Sequence, residues 1–84
     1  MPYVQQEVRT RIDREAYIPA MRDAGQLNYH ITRVILRYLN DNGERYQTMN
    51  DITGVLGNVA DEFRRRVVHP YEDTKREENG DIYE

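Results

Sequence analysis

No cysteine and no serine occur among the 84 residues. The first absence excludes disulfide staples and thiolate metal sites. The second excludes a serine nucleophile and leaves threonine as the only aliphatic hydroxyl. Lysine is nearly absent too: eleven of the twelve positive residues are arginine and Lys75 stands alone. Only two histidines, His30 and His69, are present and they are far apart, so no spacing suggests a metal site. No apolar run approaches the roughly 18 residues of a membrane span. The first 13 residues lack the apolar core of a signal peptide. A soluble protein of the cytoplasm is the expectation, with no membrane partner.

What is present is arginine, tyrosine and helical periodicity. Seven tyrosines accompany the arginines. Both residue types are enriched where surfaces are buried against partners, because each carries a large flat group with a polar tip. A bias in codon usage gives the same composition. The net charge of −3 argues against a general nucleic-acid binder. A chain of 84 residues is one small domain with a modest core, and small chains without staples commonly gain stability by oligomerising.

The organising stretch is Thr48 to Pro70. Thr48 followed by Asp51 resembles a capping pattern. Ile52, Leu56, Val59, Phe63 and Val67 then recur at spacings of three and four, the period of an amphipathic helix. About 21 residues give a rod of roughly 30 Å, which Pro70 ends or kinks. Upstream, Leu27, Ile31, Val34, Ile35 and Tyr38 share one face of a second helix that Asn42 or Gly43 stops. The expected fold is all-α: a small helical hairpin or bundle in a single domain over 1–84. Residues 1–12 form an N-terminal arm and 13–22, capped by Asp13, a short helix that Pro19 disturbs. Two long antiparallel helices, 26–41 and 49–69, follow, and 70–84 make a short C-terminal helix with a docking tail.

Chemistry is sparse. The glycines Gly54 and Gly57 lie within a helix rather than before one, so no phosphate loop is present. No carboxylate pair has a spacing suited to acid–base work, and the chain reads as non-enzymatic with no cofactor. Two internal glycines cost about 1 kcal/mol each against alanine. Such a cost suits a face that something approaches closely. Tyr29, Leu36, Gly54, Gly57 and Val68, turned away from the hairpin seam, are therefore the expected oligomer interface. Arg65, Arg66 and His69 with Tyr71 near the helix end could grip an anion and stack on its flat part. Pairing of those arginines with Glu62, Glu72 and Asp73 is the structural alternative.

At LNYHITRVILRYL and again at FRRRVVHPYEDTKREENGDIY, the chain resembles a family of short uncharacterised proteins of tailed phages and prophages, a domain of unknown function. Members share Leu27-Asn28-Tyr29, Ile31-Thr32-Arg33, Arg65-Arg66-Val67, Pro70-Tyr71-Glu72-Asp73 and Glu78-Asn79-Gly80-Asp81. The resemblance runs from Leu27 to Tyr83 and is looser over the first 26 residues. It implies a phage setting and supplies no activity. Asn28, Tyr29 and Arg33 make a second candidate group beside Arg65, Arg66, His69 and Tyr71. Size and setting are similar to those of small helical phage proteins that assemble and trap nucleotide messengers of host immunity, by analogy only. The function expected is sequestration of an anionic nucleotide-like ligand by a homo-oligomer. The alternative is a protein–protein interaction module, an inhibitor or adaptor of a host or phage protein.

Overall fold

A computed structural model describes residues 4–83. The described residues are all-α, without a strand: α1 spans Gln6–Glu15, α2 Ala24–Asn42, α3 Tyr46–Phe63 and α4 His69–Asn79. A π-helical segment, Arg64–Val68, joins α3 to α4. The chain divides into two compact units at Met49 and Asn50.

In the first unit the short helix lies at Gln6–Glu15, which corrects both the extended arm over 1–12 and the helix over 13–22. Residues 6–15 contain no glycine or proline, with Glu7 in the first turn and Arg14 in the last, each suited to its end of the helix dipole. Ala16 is extended, and Pro19 disfavours helix at the residue before it. Asp13 lies inside α1 and caps nothing. Met1 to Tyr3 of the expected arm lie outside the described residues.

α2 begins at Ala24, two residues earlier than the periodicity suggests. The cause is a cap: the Gln26 N–H donates to Asp23 Oδ1 at 2.8 Å, and the Arg22 N–H donates to Gln26 Oε1 at 2.9 Å. Gly43 ends the helix at φ +90°, a conformation that only glycine adopts cheaply, with its N–H on the Leu39 carbonyl at 2.8 Å. Asn42 Nδ2 donates to the Tyr38 carbonyl at 2.9 Å, satisfying another late carbonyl.

α3 starts at Tyr46, so Thr48 sits within its first turn and is not its cap. Thr48 is nevertheless the one buried side chain among the described residues, 2% exposed. In the second unit Pro70 does not stop the helix. Its missing N–H and the clash of its ring with the preceding turn are accommodated by the wider turn before it, where the His69 N–H reaches back five residues to the Arg64 carbonyl. The wider turn has a second effect. Phe63, Val67 and Tyr71 are spaced four and four, which drifts around an α-helix, and a π turn of about 4.4 residues offsets that drift. Gly80, at φ +89°, closes α4 with its N–H on the Arg76 carbonyl at 2.8 Å. Asp81 then accepts the Tyr83 N–H at 2.8 Å and lies 3.9 Å from Arg76. The tail expected to dock does not bury its side chains: Ile82 and Tyr83 are over nine-tenths exposed.

No hydrophobic side chain among the described residues is buried. The apolar stripes are present as spaced, but Ile31 is 41% exposed, Leu56 43% and Val59 60%. Gly54 and Gly57 face open space, with no atom within 4 Å of a Cβ added at either. Nothing in the chain itself therefore requires glycine there. Gly57→Ala should raise stability by about 1 kcal/mol, or about 4–8 °C in Tm, in a thermal melt followed by circular dichroism. A lower Tm would mean that a second molecule approaches this backbone closely.

Candidate functional site

The sequence-predicted residues fall into separate groups. In the second unit Glu62 is the pivot. Its carboxylate accepts Arg65 Nη2 at 2.7 Å and Arg66 Nε at 3.2 Å, while Arg64 lies 3.4 Å from Asp61. Spacings of three and four put these groups on adjoining helix turns, so the pairs form locally. The Glu62 side chain is 26% exposed and the two arginines well over half, which makes this a solvated surface network of modest strength. Of the expected carboxylate partners, Glu62 holds both arginines, whereas Asp73 pairs with Arg76 at 3.5 Å.

Tyr71 goes elsewhere. Its ring lies 5.6 Å from the Lys75 ammonium, a cation–π distance. It lines an open hollow of about 570 Å³ with Lys75, Arg76, Asn79 and Tyr83. Arg65 borders a different and smaller hollow of about 210 Å³, with Asn58, Asp61 and Glu62. Arg65 and Tyr71 therefore line different hollows, and Arg66 and His69 line neither of them.

The first unit brings the other group closer together. An open cleft of about 570 Å³ is lined by Pro19, Met21, Asp23, Tyr29, His30 and Arg33, among others. Its wall is a face of α2, since Gln26, Tyr29, His30 and Arg33 follow at helical spacing. Its floor comes from the non-helical segment before Asp23. Tyr29 and Arg33 thus line the same cleft. Asn28 does not line the cleft and instead accepts the Thr32 hydroxyl through its carbonyl at 2.8 Å. Asp23 is committed to capping α2, and Arg33 has no ion-pair partner among the described residues. His30, Met21 and Pro19 were missed by the sequence reading. The helical spacing from Gln26 to Arg33 signals His30, but nothing local signals that the 19–21 segment returns to the same face.

Of the expected interface residues, Tyr29 and Leu36 are about half exposed, Gly54 and Gly57 are open and Val68 is half-buried. No group of three metal-capable side chains exists among the described residues, and none of their helices is long and apolar enough to cross a membrane.

A family model described as a domain of unknown function, DUF6899, matches residues 1–82. The chain belongs to that family. The match takes in the first 26 residues, where the sequence resemblance was loose, so α1 and the cleft-forming segment are part of the family's domain. No curated protein and no solved structure matches the chain.

Because Glu62 holds two exposed arginines, Glu62→Gln should lower stability by roughly 0.5–1 kcal/mol in urea titration. The loss should shrink at about 1 M salt, where the Debye length is near 3 Å. A loss above about 2 kcal/mol that salt leaves unchanged would contradict a solvated network.

Proposed function

We propose that this chain is a non-enzymatic protein-interaction module that acts as an assembly, completing its core through apolar helix faces. The observation that carries this reading is the ladder Ile52, Leu56, Val59, Phe63 and Val67. It has the spacing of a packed helix seam, yet Val59 is 60% exposed and Phe63 58%. A contiguous apolar face of this kind in water marks an association surface. The absence of any buried hydrophobic side chain among the described residues supports the same view, because a small chain needs partners to offset the entropy of ordering itself. The arginine and tyrosine content suits partner surfaces.

A second reading is favoured by the α2 cleft. There Arg33, without an ion pair among the described residues, lines the cleft with Tyr29 and His30. A planar guanidinium beside an aromatic ring suits an anion with a flat part, such as a nucleotide. Sequestration of a host signalling nucleotide by a phage-encoded protein would use this cleft in preference to the Glu62-bound Arg65 and Arg66.

Native mass spectrometry of the purified protein with cyclic dinucleotides or ADP-ribose separates the readings. The interaction module predicts multiples of 10.0 kDa that collapse in Leu56→Asp. A ligand adduct that Arg33→Ala reduces by about tenfold to a hundredfold supports the cleft. A monomer of 10.0 kDa, unchanged by Leu56→Asp, would contradict the assembly.

A further inference from the structure

The assembly reading leaves open which surface meets which partner. We propose that α3 pairs with α3 of a second copy of this chain, antiparallel, so that Leu56 of one copy packs on Val59 of the other and Ile52 on Phe63. The inference rests on the interaction-module reading and moves the interface from the Gly54–Gly57 face to the apolar stripe.

The area fits a second copy. Ile52 is half-buried, while Val55 is 58% exposed, Leu56 43%, Val59 60%, Phe63 58% and Val67 52%. Together these side chains hold on the order of 600 Å² of exposed apolar surface per copy, close to the ~800 Å² per partner of a standard stable interface.

The pattern fits a helix partner. Ile52, Leu56, Val59 and Phe63 are spaced four, three and four, the alternation that seats side chains of one helix between those of another. By contrast, Gly54 and Gly57 lie off this seam and present no side chain to fill it.

Charge sets the direction. Arg64, Arg65 and Arg66 spread around the rod and make this end of the helix basic, and among the described residues Asp61 and Glu62 of the same turns pair with them. A parallel pair would bring the two basic ends together, where like charges oppose pairing. An antiparallel pair places them at opposite ends and also opposes the two helix dipoles. In that arrangement residues whose numbers sum to 115 face one another, which matches Leu56 with Val59 and Ile52 with Phe63. Each layer then combines a large side chain with a smaller β-branched one, a combination that fills a seam without overpacking.

The native chain has no cysteine, so Leu56→Cys and Val59→Cys each carry one thiol, and their different masses identify every product. The two variants are mixed, equilibrated under reducing conditions and then oxidised. Antiparallel pairing predicts that the mixed disulfide exceeds either self-linked product by about tenfold. The second layer, Ile52→Cys mixed with Phe63→Cys, should behave alike, and retained helicity by circular dichroism shows that the variants fold. Self-linked Leu56→Cys in excess means parallel pairing and overturns the proposal. An unlinked protein that still sediments as an oligomer places the contact on another surface; it overturns the pairing and leaves the interaction-module reading standing. An unlinked monomer of 10.0 kDa overturns both.

Discussion

Water against the apolar stripe of α3 is the constraint from which the rest follows. Its side chains are spaced to pack on another helix, and in the chain as described they remain about half exposed. Each half-exposed aliphatic side chain forgoes roughly 1 kcal/mol of transfer free energy. A chain of 84 residues has little to offset that loss, because it carries no disulfide and no metal cluster was found among the described residues. Local forces hold the helices in the meantime: the Asp23 cap, the glycine stops at Gly43 and Gly80, and the pairs Arg37–Asp41 at 2.8 Å and Arg65–Glu62 at 2.7 Å. Caps and surface pairs contribute on the order of 0.5–1 kcal/mol each and shape helices without making a core.

The π segment gives the second unit its character. Proline in a helix interior ordinarily costs about 3 kcal/mol through the lost hydrogen bond and the ring clash. Here one wide turn precedes it and the helix runs on to Asn79, so the stripe extends toward Tyr71 instead of stopping at Val67. Tyr71 and Arg65 then lie on one continuous rod but border different hollows. That separation weakens a single anion grip built from Arg65, Arg66, His69 and Tyr71, and it shifts attention to Arg33, Tyr29 and His30 in the first unit.

Much of this was legible in the sequence, and the misses have physical causes. The two stripes and the stop at Asn42 or Gly43 could be read because periodicity and positive-φ glycine are local signals. The first helix was misplaced because residues 6–15 offer good helix formers but scarcely any apolar face, so a periodicity reading passes over them. Thr48 and Asp51 mimic a cap, yet the helix begins at Tyr46, which puts the buried Thr48 inside its first turn. Pro70 reads as an end or a kink, and the wide turn that lets the rod run on leaves no mark in composition. The pairing of Glu62 with Arg65 and Arg66 follows from spacing and was foreseeable; the cleft required a segment before Asp23 to return to the α2 face, which no local rule supplies.

Amide hydrogen exchange at a series of protein concentrations tests the central claim most directly, because it asks whether α3 is protected by association. The account predicts that protection of residues 52–67 grows with concentration over the micromolar range, while α1 exchanges quickly throughout. Protection of α3 that is strong and independent of concentration would contradict it, since the stripe would then be covered without a partner.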